Sequence, residues 1–405
     1  MHRRHLSALA ILSALISCTG AEARRLAQPV LDSLPGGIPR LTSPGPTSWE
    51  GESGWQVELV AETTGDPQTP GELIDPNSLA LDEWGRAFVV DQKPSVIKVF
   101  DANGAYIRTI GGEGQGPGEF RVGFVAVRNG HVVIQDPQTT RTSVWDTTGT
   151  FLRSWTSSCC YWSDIQVDRA GLVYIPSSIQ TPAGGERRQA TAYVRWTVDG
   201  TVVDTLWVPN PTSEVKTWTL TANRGGTNTM TMMMPVPLTP RMVSGFNPEG
   251  GFLLGWSSEY QVAVAPHGSD TSGVFRRSWT VEPVTDERRN HEVEVQMAQM
   301  GEGFEEAALR KAFVASDIPA TAPAFVALHV DQNGNRWIRL DPGMDSTRTR
   351  FDVFNPDGAF LGTVAVASKL PMYGRMAFGK DEIVVARENI DGVPVLARYR
   401  VRKPS

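Results

Sequence analysis

Aligning the repeated segments of this 405-residue chain puts Arg375 in one tier, with Arg121 and Arg241 standing near that tier in two other segments. Asp75, Asn77 and Asp164 lie in or beside the same tier, and Trp162 and Tyr373 flank it. Guanidinium forks, carboxylates and aromatic edges gathered in one ring would suit a small polar ligand held by bidentate hydrogen bonds. With Asp75 and Asp164 set against three arginines, the local excess is positive, which favours an anionic guest over a metal cation. The competing reading is an Arg/Asp network paired within itself that merely plugs an opening, since buried charges need partners in either case.

Other chemistry-bearing patterns are incomplete. His291-Glu292 opens a zincin-like motif, but Val295 stands where the second histidine ligand is required. His131, His267 and His329 are dispersed through separate segments, as packed or solvated histidines usually are. Cys159 and Cys160 are adjacent, which leaves a strained vicinal bridge or two thiols and no further ligands at metal spacing. Met230, Met232, Met233 and Met234 could bind a soft metal, although filling an irregular gap is the commoner use of methionine. Gly112-Glu113-Gly114 lies between two strand patterns with no helix after it, and no Gly-x-Ser-x-Gly elbow exists. No catalytic residue is assigned, and no resident cofactor is expected.

The elements that position the tier repeat. Leu79–Asp91, Val96–Gly104 and Tyr106–Gly111 read as strand, Gly turn, strand, loop, strand, Asn-Gly turn, strand. The same order returns through Val125–Trp155, Ile165–Leu206, Gly250–Val281, Val330–Gly358 and Met376–Val401. The last copy has three strands, and the alternating run Trp55–Ala61, ahead of the first copy, supplies the missing fourth. The spacing predicts an all-β, six-bladed β-propeller of four-stranded antiparallel blades over residues 51–405, closed by its N-terminal strand. A long connection (209–240) and a helical insertion (283–319), with Asp286 as a cap, interrupt the repeats. Loops this long usually cover a mouth or form a binding surface.

Gly111-Gly112-Glu113-Gly114-Gln115-Gly116-Pro117-Gly118-Glu119-Phe120 resembles the connection between blades of NHL-repeat propellers. The Asp-x-x-Gly-Arg turn at Asp82 and the Val-Phe-Asp-x-x-Gly step at Val99 match the same family. The resemblance implies the propeller architecture and bacterial exported members. It leaves two functions open: a non-enzymatic binding or scaffold propeller taking a small anion, glycan or peptide at its channel mouth, or an enzyme of the lactonase/arylesterase or lyase kind using a divalent metal in the axial channel. A metal enzyme needs converging His, Asp, Glu or Asn, and the tier offers Asp164 with Asn77 and Asp75, so binding leads.

The N-terminus addresses the chain. Met1–His5 is basic and Leu6–Ile16 apolar but short of a membrane span, the pattern of an export signal. Leu15-Ile16-Ser17-Cys18 resembles a lipobox, which makes residues 1–18 a signal peptide and Cys18 the lipidation site, in an outer-membrane or periplasm-facing lipoprotein. Ala21-Glu22-Ala23 offers ordinary secretion as the alternative. Residues 19–50, rich in Pro and Gly, read as a tether with a mean reach of about 30 Å. A net charge of -6 without a basic stripe excludes nucleic acid as a partner, and membrane contact is expected only through the lipid.

Overall fold

In the computed structural model, residues 29–44, 54–63, 68–157, 163–177, 190–209, 215–223, 229–300, 304–345, 347–372 and 374–404 are described. A hairpin comes first, β1 (Val30–Leu34) and β2 (Ile38–Ser43), followed by β3 (Gln56–Thr63). Blade one is the meander β4 (Pro76–Leu81), β5 (Ala87–Gln92), β6 (Ser95–Phe100) and β7 (Tyr106–Ile110). Short strands β8 (Gly112–Glu113) and β9 (Glu119–Phe120) pair within the connection that follows. Blade two holds β10 (Phe124–Arg128), β11 (His131–Asp136), β12 (Arg141–Asp146) and β13 (Phe151–Thr156). Blade three holds β14 (Gln166–Val167), β15 (Val173–Ser177), β16 (Ala190–Trp196) and β17 (Val202–Pro209).

A separate hairpin, β18 (Thr217–Asn223) and β19 (Thr229–Pro235), precedes blade four, which comprises β20 (Met242–Phe246), β21 (Phe252–Trp256), β22 (Gln261–Ala265) and β23 (Gly273–Arg277). Helices α1 (Asp286–Met300) and α2 (Glu306–Ala312) lie between blades four and five. Blade five is β24 (Ala327–Val330), β25 (Arg336–Arg339), β26 (Thr349–Phe354) and β27 (Phe360–Val366). Blade six is β28 (Met376–Phe378), β29 (Glu382–Glu388) and β30 (Pro394–Arg402), with β3 as its outer strand. The closure expected from the sequence is present: Val57 pairs with Val401 and Leu59 with Tyr399. The protein is a six-bladed β-propeller.

The blades form because alternating apolar strands are punctuated by turns of one chemistry. Asp82 Oδ1 accepts the backbone N–H groups of Trp84 and Arg86, and Gly85 takes φ +79°, which the turn requires and a side chain resists. Asp101 and Gly104 repeat the device. Apolar side chains then pack between neighbouring sheets. Phe88, Ile97 and Ile110 of blade one meet Val125, Ile134 and Trp145 of blade two, all buried. Polar stitches cross other interfaces. The Arg398 guanidinium of blade six donates to the Gly85 and Asp101 carbonyls of blade one at 3.0 and 2.7 Å.

Two expectations need correction. Part of the 19–50 stretch is not tether: β1 and β2 form a hairpin, and β2 adds to blade four in parallel with β23, Arg40 against Val274. Gly36 and Gly37, which looked like linker residues, make its turn at φ +87° and +77°. The pairing partner lies more than two hundred residues downstream, so no local pattern announces it. The helix cap is also shifted by one residue. Thr285 Oγ1 accepts the Arg288 N–H at 3.2 Å, whereas Asp286 enters the first turn and pairs with Arg289 at 2.6 Å.

The two insertions belong together. Trp218 of β18 stacks on Phe313 after α2, with ring centroids 5.0 Å apart, and Leu220, Val293, Leu309 and Ile318 complete a core separate from the ring. Met232 and Met234 pack against it, and Met233 points outward, 69% exposed. This module docks on blade five through Arg288, whose guanidinium meets Asp341 at 3.2 Å.

Candidate functional site

Each innermost strand starts at one mouth of the central channel, where the connections between blades enter, and ends at the other, where its first turn sits. The two are here called the entry mouth and the turn mouth. β4, β10, β14, β20, β24 and β28 each pair on one side only, so their free edges face the axis. A cavity of 410 Å³ lies among them, lined by Leu79, Val125, Ser244, Leu328, His329 and Met376 among others.

The turn mouth is braced across the axis. Arg169 of blade three donates from Nη2 to the Gln332 carbonyl of blade five at 2.8 Å. Gln332 Nε2 in turn donates to the Asp82 carbonyl of blade one at 2.9 Å. Blade two joins when the Asn129 N–H meets Glu83 Oε1 at 3.0 Å, blade four when the Arg169 N–H meets the Pro248 carbonyl at 2.8 Å, and blade six through Gly379 and Gln332 at 3.3 Å. Side chains at this end therefore bind the backbone of other blades. Arg128, with Glu83 at 4.0 Å, also lies at this end of the cavity, and burial lowers its pKa.

The entry mouth is organised around Asp164. This residue stands two positions before β14, yet Ser78 Oγ of blade one donates to its Oδ1 at 3.3 Å, and the Gly374 N–H, leading into blade six, bonds it as well. Ser78 Oγ also accepts the Val125 N–H of blade two at 3.1 Å. Gly374 is fixed in turn by the Leu79 N–H, which donates to its carbonyl at 3.0 Å. Asp164 as a residue is half-buried and lines the cavity. It is nonetheless packed deeply enough that desolvation pushes its pKa up to about 6, against the two hydrogen bonds, which lower it.

Of the residues singled out from the sequence, Asp164 and Arg241 line the cavity. Arg121 and Arg375 are exposed and are not among its lining residues, so the expected ring of three converging arginines is not formed there. The Arg121 guanidinium meets the Gln115 side chain in the connection between blades one and two, at 2.8 Å when the amide oxygen faces it. Asp75 pairs with Lys93 at 3.0 Å, and Asn77 Nδ2 donates to the Gly123 carbonyl at 3.2 Å. Sharing a position in a repeat fixes where a Cα sits but not where a long side chain points. Cys18, Cys159, Cys160, Trp162 and Tyr373 lie outside the described residues.

Sequence reading passed over Arg169 and Gln332. Both follow the aspartate of an Asp-x-x-Gly turn, and aligning the copies on their strand ends, beside the alignment on strand starts, would have collected them with Glu83. His329 lies on the cavity wall, stacked on Phe378 with ring centroids 4.8 Å apart. Burial, aided by the Arg339 charge, pushes its pKa down to about 3, so the ring is neutral; its Nε2 has no hydrogen-bond partner among the described residues. A resident metal does not fit what is described: among those residues no three His, Cys, Asp or Glu side chains converge on one point. Nor is any described helix long and apolar enough to cross a membrane.

A family model described as a 6-bladed beta-propeller matches residues 73–200, which span blades one and two and much of blade three. No curated protein matches the chain. Among solved structures, a Bacteroides fragilis protein described as exported is 12% identical, with 90% of this chain and 100% of that one covered and a TM-score of 0.49. A member of the DUF4221 family from Bacteroides vulgatus is 11% identical over 87% of this chain and 100% of that one, with a TM-score of 0.48. Virginiamycin B lyase from Staphylococcus aureus is 10% identical over 85% and 99%, with a TM-score of 0.42. Such faint likenesses say nothing of what this chain binds.

Proposed function

We propose that this protein is an exported binding propeller of the NHL-repeat kind, held at the cell envelope by a lipid on Cys18, that takes a small ligand into its axial pocket through the entry mouth. The observation that carries the reading is the contrast between the ends of one 410 Å³ cavity: the turn mouth is bridged by hydrogen bonds among Arg169, Gln332 and Asp82, while Asp164, Ser244 and Arg241 remain on the wall. A pocket of this size with mixed walls suits a compact molecule that has both an uncharged body and a polar group. The free strand edges supply further backbone donors and acceptors around it. An anionic guest loses the basis it had in the sequence, because two of the three arginines are not on the cavity wall.

The pocket is testable with N-phenyl-1-naphthylamine, whose fluorescence rises in apolar cavities. Saturable binding at one site per chain is expected. Ser244→Trp, which places an indole where an exposed serine now faces the cavity, should weaken it by about tenfold or more, some 1.4 kcal/mol. Binding that ignores this substitution while the variant remains folded would locate the site elsewhere. For the anchor, Cys18→Ala should move the protein from the membrane to the soluble fraction.

A further inference from the structure

We infer that the axial pocket recognises a small primary ammonium, with the Asp164 carboxylate receiving its charge; this deepens the pocket reading above and rests on it. The cavity wall contains five ionisable side chains among the described residues: Arg128, Asp164, Tyr193, Arg241 and His329. Arg128 has Glu83 beside it, and Arg241 is itself partnered. Tyr193 packs on Phe252 with ring centroids 4.6 Å apart, and His329 is neutral. Asp164 is an expected charge whose described partners, the Ser78 hydroxyl and the Gly374 N–H, are both neutral.

A carboxylate has room for about four hydrogen bonds, and two are supplied here. Those two also orient it: blade one holds one side and the segment entering blade six the other. The energetics select the guest. A desolvated carboxylate without a counter-ion is unfavourable, and the burial-driven rise in its pKa is the measure of that cost. A ligand ammonium would relieve it through charge-assisted hydrogen bonds, whereas a ligand carboxylate would meet like charge in a confined space. The ammonium's remaining N–H groups can find carbonyl oxygens on the free edges of the innermost strands, and an uncharged body of the ligand can rest against Leu79, Met372 and Met376.

The test uses three molecules of one shape and different charge: 2-phenylethylamine, 2-phenylethanol and phenylacetate. Each displaces N-phenyl-1-naphthylamine from the full-length protein at about pH 7.5, where the carboxyl is ionised and the amine protonated. The amine is expected to displace the probe at a concentration about tenfold below that of the alcohol, with the acid weakest. In Asp164→Asn the amine's advantage over the alcohol, each measured against that variant's own probe affinity, should shrink to about threefold or less. An acid that competes as well as the amine, or an amine advantage unchanged in Asp164→Asn, overturns the inference and leaves the pocket intact. A probe that fails to bind the wild type, or that Ser244→Trp does not weaken, removes the pocket itself and this inference with it. The wild-type order alone decides the matter if Asp164→Asn does not fold.

Discussion

The two mouths of the ring are built from the same repeat and differ in what they leave unsatisfied. At the turn mouth every blade ends in a short turn, and Glu83, Asn129, Arg169 and Gln332 bond to one another across the axis. At the entry mouth the connections are long, an extra module is docked on blade five, and Asp164 spans three blades with neutral partners only. One end spends its polar groups on holding six blades together; the other keeps some in reserve. Stability and recognition are thereby separated along the axis, so substitutions at the two ends should have different signatures.

The largest effect is expected at the turn mouth. Asp331 is buried; its Oδ1 accepts the N–H groups of Asn333 and Asn335, and its Oδ2 accepts the Asn335 amide and Trp337 indole donors at 2.8 and 3.1 Å. Asp331→Ala would strand those donors, and a loss of about 2–4 kcal/mol in denaturant unfolding is expected. The same substitution should leave the order of ligand preference unchanged in whatever fraction remains folded.

Asp164→Asn should act in the opposite direction. In the unfolded chain this carboxyl titrates near pH 4, and in the native protein burial raises it to about 6. Between those values the native state binds more protons, so wild-type stability falls as pH rises through the window and is level above it. The variant should lose this slope and be as stable as the wild type at pH 7.5 or more so. The gain is at most about 3 kcal/mol, less whatever the channel solvent already screens. A marked loss of stability would mean that Asp164 is chiefly a brace, like the residues at the other mouth. Bound ammonium should reverse the trend, with ligand-induced stabilisation growing as pH rises through about 6.

Smaller effects complete the comparison. Arg169→Ala removes one hydrogen bond across the axis and an exposed pair with Glu249, and should cost about 0.5–1.5 kcal/mol. Arg121→Ala and Arg375→Ala, both at exposed positions on the entry side, should change thermal stability by less than about 0.5 kcal/mol. A larger loss at either would show an entry mouth as tightly interlocked as the turn mouth.

How much of this was legible in the sequence depends on the range of the interaction. The blades were readable because strand alternation and the Asp-x-x-Gly turn are local, as at Asp82 and Gly85. The closing strand was readable because the sixth copy lacked a partner and Gln56–Thr63 had none. The hairpin on blade four was not: Ile38–Ser43 alternates weakly and is held by a strand far along the chain. Asp164 was found because a residue within a few positions of the start of an innermost strand must lie near the axis. Arg375 shares that tier and Arg121 stands near it, but flexible side chains at the rim can turn to solvent or to a loop, as Arg121 does toward Gln115.

The most direct measurement is a crystal structure of the full-length body soaked with 2-phenylethylamine. Density is expected inside the axial cavity, with the ligand nitrogen within hydrogen-bond distance of the Asp164 carboxylate and its ring among Leu79, Met372 and Met376. An empty cavity at a saturating concentration, or a ligand seated on the outer surface with Asp164 untouched, would contradict the separation of bracing and binding between the two mouths.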